Sequence, residues 1–397
     1  MPNVEIRPAR AEEMGAFARQ AARQLALPPE MFDGMAPEWT MCAIVDGAIA
    51  TTYAAWPLQI RLAGRPVRIA GVTQVSTHPA HRRRGYLRAV TQRHFEQLHE
   101  TGEVAFAGLH PAWVAIYQRY GYGSVHQRHG YRIAPRDITF HHPLSPTGRL
   151  HELDPIRDFA TLVEVYRRHR EDRTGLVHRG RAMWFAGALQ PPPPGQNQIV
   201  LAYEEAGVVQ GYIAYAHGGG GRPRVLTVTD LFALSPAAHQ ALWGALAGYD
   251  NVDAIVWDNA PADDPLPLML AEPRQLNQFL RDGIMARLVT VSAAMSQRRY
   301  ATVDALRFRL IDGFCPWNDG AWLVETSADA GQAKRIEGQS VDFSLTPDTL
   351  ASLVFGRFSA SQASAAGLLD GADAASLGRW DAALRLAHPP HEAEHTW

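Results

Sequence analysis

The chain has 397 residues, 46% hydrophobic and 20% charged, with 38 Lys and Arg against 40 Asp and Glu. That length exceeds what one hydrophobic core supports and implies two or three domains, three being expected here, in a composition typical of packed globular proteins. The net charge of -2 offers no basic stripe and argues against nucleic acid as an obligate partner. Cys42 and Cys315 lie far apart and outside any CxxC spacing, which argues against a disulfide scaffold and against a zinc site. The N-terminal MPNVEIRPARAEEM is charged throughout, and no apolar run is long enough to span a bilayer, so a cytoplasmic protein without a membrane partner is expected.

In chain order, residues 4–7 read as a short strand, followed by a helix with Met14, Phe17, Ala21 and Leu25 at helical spacing. MCAIVDGAIATTYAAWPLQIRL holds two strand-like runs around Asp46-Gly47, a hairpin signal. A third run, 67–75, leads into an arginine-rich loop, after which 86–101 is a helical pattern stopped at Gly102. Residues 104–110 read as a buried strand, 111–120 as a short helix, and 131–140 as the segment that closes this first unit; HHPLSPTGRL is a connector. From Leu150 the pattern restarts with a helix over 158–170, a proline run at 191–194, strands near 199–203 and 211–217, and a Gly-rich tip at 218–221. RVLTVTDLFALSPAAHQALWGALAG then repeats the strand, loop, helix layout of VRIAGVTQVSTHPAHRRRGYLRAVTQRHF without its arginines. Leu288 onward carries a third pattern: strand-like RFRLIDGF and GAWLVET, helices over 346–355, 359–366 and 373–386, and an exposed tail HPPHEAEHTW.

The segment from Val75 through Ser76, Thr77, His78, Pro79, Ala80, His81, Arg82, Arg83, Arg84 and Gly85 to Tyr86 and Leu87 places three arginines and a glycine between a strand and a helix. Unpaired N–H groups and the helix dipole make such a junction a site for a pyrophosphate. Gly85 lets backbone approach a ligand closely, and the guanidinium groups add charge-assisted bonds, including one toward a 3′-phosphate. The alternative is a solvated charge run. Against it, cations at a helix N-terminus oppose the dipole by about 0.3–1 kcal/mol each at exposed sites, which an anion would relieve.

This loop resembles the acyl-CoA loop of the GNAT acetyltransferases, R/Q-x-x-G-x-G/A: Arg82 and Gly85 match, and Leu87 departs from the small residue expected last. LHPAWVAIYQRYGYG resembles the second GNAT signature, where a strand splays from its neighbour and a tyrosine precedes a GY or GF pair. The resemblance gives Tyr117 the role of general acid, protonating the departing CoA thiolate; the alternative is an aromatic core residue, as Tyr120 and Tyr122 are read to be. The whole chain resembles the enhanced intracellular survival (Eis) family, on THPAHRRRGYLRAV, IYQRYGYG, LIDGFCPWNDGAWLVE and LASLVFGRFSASQAS.

That resemblance implies an α/β (α+β) fold of tandem GNAT domains with mixed central sheets plus a C-terminal sterol-carrier-protein-like α+β domain. The boundaries it implies are 1–145 for the acetyl-CoA-binding domain, 146–287 for a degenerate second GNAT domain and 288–397 for the third domain with its tail. Acetyl-CoA, without a metal, would meet the backbone edge of Val75, Ser76 and Thr77. Its pyrophosphate would meet Arg83, Arg84, Gly85, Tyr86, Leu87 and Arg88, with Arg82 as a further contact and Ala112 and Trp113 flanking the pantetheine arm. The family's general base is its C-terminal carboxylate, here that of Trp397, a weak base at an unperturbed pKa of about 3.3–3.7 unless buried or relayed through water. A disordered terminus is the alternative. His110 contacts substrate, relays a proton or is structural. His388, His391 and His395 read as a solvated tail rather than a metal site, and the family's assembly implies a homohexamer.

The implied activity is acetylation of primary amines on small molecules, including aminoglycosides or polyamine-like substrates. Two acids that hold such polycations are replaced here by Ala26 and Thr396, with Glu30, Asp33, Glu38 and Glu394 as nearby substitutes. SPAAHQALW lacks the cations of HPAHRRRGY, so the second domain is expected to bind no CoA. The sterol-carrier resemblance implies a lipid cavity, but a tail committed to the first domain's cleft favours a structural role. The rival readings are a protein-lysine or longer-chain acyltransferase, and a lipid-binding scaffold with a vestigial transferase domain; the intact loop at 82–85 and Tyr117 oppose the scaffold.

Overall fold

The computed structural model describes residues 3–28, 32, 34–145, 147–218, 221 and 223–394. In chain order the first elements are β1 (Val4–Arg7), α1 (Met14–Leu25), β2 (Cys42–Val45), β3 (Ala48–Leu62), β4 (Arg65–Thr77), α2 (Tyr86–Thr101), β5 (Phe106–Leu109), α3 (Val114–Gln118) and β6 (Gly123–Ser124). There follow β7 (Gln127–Ile133), β8 (Arg149–Glu152), α4 (Phe159–Arg170), α5 (Arg181–Ala186), β9 (Gln196–Glu205), β10 (Val208–Gly218) and β11 (Val225–Ala233). Next are α6 (Pro236–Ala247), β12 (Ala254–Ala260), α7 (Leu266–Met269), β13 (Phe279–Asp282), β14 (Met285–Leu288) and α8 (Val291–Gln297). The last are β15 (Ala305–Leu310), β16 (Gly320–Thr326), β17 (Gly331–Arg335), β18 (Phe343–Leu345), α9 (Pro347–Phe355), α10 (Ala360–Ala365) and α11 (Ala374–Leu384).

Among the described residues these strands form three sheets, ordered β1-β2-β3-β4-β5-β14-β6, β13-β7-β12-β11-β10-β9-β8 and β17-β16-β15-β18. The chain divides into two compact units. One runs through Val125 and resumes over Ile284–Leu386; the other holds His126–Gly283 and the tail from Ala387.

In the first unit Asp46 and Gly47 both take positive φ, 49° and 81°, which suits the right-handed twist of the β2–β3 hairpin. α1 buries Phe17, Ala21 and Ala22, and α2 buries Val90, Thr91, His94 and Phe95 and ends at Gly102 with φ 65°. Burying one such aromatic or aliphatic side chain stabilises by roughly 1.5–3 kcal/mol. The segment 131–140 does not close this sheet. Gln127–Ile133 pairs with β12 and β13 in the second sheet, and the first sheet is completed by β14, which lies between β5 and β6. Period-two alternation marks a strand but not the sheet it joins; all four residues of β14 are buried, and Met285 packs among Tyr117, Tyr120 and Tyr122. α9 packs on β6 and β14, and Phe355 meets Phe106 edge-on with centroids 5.5 Å apart.

The second unit has its own core, with Trp243, Trp257, Tyr131 and Leu242 among its buried residues. The tail is not an exposed strand of polar residues: His391, Glu392 and Glu394 are buried in this unit. The His391 N–H donates to the Thr174 carbonyl at 2.8 Å. The Arg179 guanidinium, stacked 4.3 Å from the Tyr166 ring centroid, donates to Asp230 at 2.7 Å and to Glu394 at 2.5 Å. A desolvated guanidinium needs such partners, and the tail carboxylate supplies one. Glu394 is therefore committed to Arg179 and does not stand as a free pocket acid. Gly175, at φ 102°, has to be glycine, because a Cβ there would lie 2.4 Å from the His391 carbonyl oxygen. His388 bonds Asp263 at 2.7 Å and His391 donates from Nε2 to the Asn259 carbonyl at 3.2 Å, so neither is a solvated tail histidine. His395, Thr396 and Trp397, like Glu30 and Asp33, lie outside the described residues.

Candidate active site

The site begins with an unequal pair of parallel strands. β5 pairs with β4 only from Ile69 opposite Phe106 to Val72 opposite Leu109, yet β4 continues to Thr77. Residues 73–77 therefore run past the end of β5, and among the described residues no strand pairs with that edge, on the side on which α3 follows, the carboxyl end of parallel strands where ligands of α/β sheets bind. Val75, Ser76 and Thr77 all lie on this edge. A bulge interrupts it: Ala54 faces Thr73 and Thr52 faces Ser76, so Gln74 and Val75 together oppose Tyr53, with Gln74 at φ 54°. Such a bulge bends the strand and leaves a residue out of the ladder. The Thr52 hydroxyl donates to the Gln74 carbonyl at 2.8 Å, which makes Ser76 Oγ the donor in its 2.7 Å bond to Thr52. The bulge is thus fixed by side chains as well as by the ladder.

Beyond Thr77 a single 3-10 turn, Pro79–His81, leads to the arginines. Arg82 turns back: its guanidinium donates to the Thr77 carbonyl and to Gln24, each at 3.1 Å, and so holds the loop against the end of β4. Arg83 and Arg84 are exposed. Arg83 and Gly85 both take positive φ, 60° and 81°. For Gly85 the positive φ is the requirement, since no atom lies within 4 Å of a Cβ placed there. The first helical bond runs from the Ala89 N–H to the Gly85 carbonyl, so the N–H groups of Tyr86, Leu87 and Arg88 precede the intrahelical ladder, and Gly85 supplies no side-chain cap. These backbone donors and the dipole are available to an anion. The Arg88 side chain lies elsewhere, its guanidinium 5.3 Å from the Phe314 ring centroid.

Tyr117 stands in the last turn of α3 and is 9% exposed. Burial, with a further contribution from Tyr120, pushes its phenol up to about 12, so it keeps its proton at neutral pH. Its ring meets Tyr122 edge-on at 6.1 Å, while Tyr120 and Tyr122 are both buried. His110 follows β5 directly and is half-buried, Ala112 is exposed, and Trp113, the residue before α3, is 74% exposed. Ala26 ends α1 in the left-handed region, and Glu38 is exposed.

The sequence reading missed a buried polar layer behind these residues. The Tyr53 hydroxyl is hydrogen-bonded to His94 Nδ1 at 2.9 Å; burial holds the His94 imidazole down to about 4 and therefore neutral. Arg287 and Asp312 form a fully buried pair at 2.5 Å. The helical spacing of His94 with Val90 and Phe95 places it on the core face, whereas nothing local marks Arg287.

Residues 5–125 match the GNAT acetyltransferase domain, 175–288 match a second GNAT acetyltransferase domain, and 291–392 match the sterol carrier protein domain. An uncharacterized N-acetyltransferase of Streptomyces coelicolor is 31% identical over 315 residues, 77% of this chain and 75% of that one. N-acetyltransferase Eis of Mycobacterium tuberculosis is 28% identical over 380 residues, 90% of this chain and 91% of that one. Among solved structures, Eis1 of Mycobacterium abscessus aligns with a TM-score of 0.83 at 26% identity, covering 98% of this chain and 99% of that one. A GCN5-related N-acetyltransferase of Anabaena variabilis shares the fold, with a TM-score of 0.87 at 20% identity over 99% of this chain and 100% of that one.

Proposed function

This chain belongs to the Eis-like N-acetyltransferases of the GNAT superfamily, and we propose that it moves an acetyl group from acetyl-CoA directly to a primary amine, with Tyr117 as general acid. The observation that carries this reading is the edge of β4 at 73–77, left unpaired among the described strands, beside the uncapped N-terminus of α2. The pantetheine amides pair with Val75, Ser76 and Thr77 as an added strand would. The pyrophosphate takes the N–H groups of Gly85, Tyr86, Leu87 and Arg88 and the side chains of Arg83 and Arg84, with Arg82 bracing the loop. Ala112 and Trp113 flank the pantetheine arm, and His110 lines the acceptor side.

The amine nitrogen attacks the thioester carbonyl, the C–S bond breaks, and the Tyr117 phenol gives its proton to the departing thiolate. The amine's surplus proton goes to a base, which the family resemblance assigns to the Trp397 carboxylate; the phenolate regains a proton from solvent. The acceptor is a small polycation such as a polyamine or an aminoglycoside, and the same resemblance implies a cytoplasmic hexamer, which light scattering on the purified chain would test.

The test is free-thiol release from acetyl-CoA with polyamines, aminoglycosides, arylalkylamines and a lysine peptide, comparing wild type with Tyr117→Phe and with Trp397 deleted. Loss of the general acid should lower turnover by about 10²- to 10⁴-fold with acetyl-CoA binding retained. Binding of acetyl-CoA without turnover of any amine would sink the acceptor assignment, and no binding at all would sink the site.

A further inference from the structure

We infer that Arg287 is the positioning residue for Tyr117, a role that rests on the reading of Tyr117 as general acid. Arg287 is wholly buried on β14. One arm of its guanidinium, Nη1, donates to the Tyr120 carbonyl; the other, Nη2, bonds Asp312 Oδ2 at 2.5 Å. Asp312 is itself locked, its second oxygen accepting the N–H groups of Phe314 and Cys315 at 3.1 and 2.9 Å.

The turn that Arg287 grips is the one that ends the helix of the acid. The N–H groups of Tyr120 and Tyr122 both donate to the Tyr117 carbonyl, at 2.9 and 3.3 Å. Tyr117 is thus tied by its own backbone to the residue whose carbonyl Arg287 holds. The guanidinium lies 5.2 Å from the Phe95 ring centroid and 5.5 Å from that of Phe314, so its plane has aromatic neighbours as well as bonded partners.

The Gly121-Tyr122-Gly123 sequence answers to this packing. Gly121 has φ 79°, and a Cβ there would sit 1.9 Å from Arg287 Nη1; at Gly123 it would sit 2.0 Å from the Asp348 carbonyl oxygen. The two glycines make room for a guanidinium and for α9. A buried ion pair is weak evidence for stability, because apolar residues of similar volume often pack as well. What an arginine adds is a rigid fork that reaches a carboxylate and a backbone carbonyl at once. The carboxylate comes from the segment after β15 and the carbonyl from the turn after α3, so the fork fixes the acid's turn to a separate part of the same unit.

The test uses the full chain and Arg287→Lys, which keeps a charge against Asp312 while losing the fork. Displacing a reacting group by about 1 Å can lower a rate about 10²-fold, so the single-turnover transfer rate should fall by roughly 10- to 100-fold with acetyl-CoA affinity unchanged. In the Tyr117→Phe background the same change should slow nothing further, because a role exerted through the phenol vanishes with the phenol. Equal slowing in both backgrounds, or a loss of acetyl-CoA affinity of the same size, overturns the inference. A second readout needs no turnover: with 3-fluorotyrosine incorporated, Arg287→Lys should move the Tyr117 fluorine resonance and leave that of Tyr215 in place. An unmoved Tyr117 resonance overturns the inference, whereas wild-type turnover in Tyr117→Phe would overturn the general-acid reading instead.

Discussion

His94 carries no part of the proposed chemistry, yet its burial makes the first unit acid-sensitive. The folded imidazole titrates at about 4, depressed by desolvation, against about 6.5 in an unfolded chain. Above pH 6.5 the ring is neutral in both states and stability is unaffected. As pH falls from 6.5 toward 4, the unfolded chain binds a proton that the folded one refuses, and up to roughly 3 kcal/mol is lost across that window. Urea unfolding between pH 7 and 4 should therefore show a shallower decline in His94→Gln than in wild type; parallel declines would mean that His94 is charged when folded. Tyr117 and the arginine loop could be singled out in the sequence because each falls in one short segment that resembles a GNAT signature. His94 and Arg287 were not, since a buried polar residue is defined by partners distant in sequence: Tyr53 for one, Asp312 and Tyr120 for the other.

The two GNAT domains differ at the helix that follows the central strand. α2 starts at an uncapped Gly85 after three arginines. α6 starts at Ser235, whose hydroxyl accepts the Ala238 N–H, with Pro236 in the first turn. A serine cap satisfies one of the orphan donors that an anion would use, and proline brings no N–H at all. Calorimetric titration with CoA should accordingly give one equivalent per chain. Arg83→Ala with Arg84→Ala should weaken that single event by about 1.5–3 kcal/mol for each charged hydrogen bond removed. Two equivalents would show that α6 can hold a phosphate by some other means. Element boundaries in the first half were readable because Gly102 and the Asp46-Gly47 turn punctuate them. The tail was misread because HPPHEAEHTW is polar by composition, whereas the partners that turn its described residues inward, among them Arg128, Thr174, Arg179, Asn259 and Asp263, lie far back in the chain.

At the scale of the whole chain, the order of the sheets departs from the order of the sequence. Strand β14 arrives after the His126–Gly283 stretch of the second unit and lies inside the first sheet, between β5 and β6. No periodicity could announce this, because β14 is four residues long and carries a charged Arg287. Its absence would leave β5 with an open edge, expose Phe106 and Leu109, and remove Arg287 from beneath the turn of Tyr117. A fragment ending at residue 145 should therefore fail to fold cooperatively and should bind no acetyl-CoA, even though it holds every residue of the phosphate loop. The Val125 N–H donates to the Ile284 carbonyl at 3.1 Å, so those two chain points are neighbours within the unit, and a short glycine-rich linker can replace all that lies between them. A chain made of 1–125, such a linker and 284–386 should melt in one transition and bind acetyl-CoA with the affinity of the full chain. If the 1–145 fragment bound equally well, the strand inserted from beyond residue 283 would be dispensable, and the cofactor site would belong to the N-terminal segment alone.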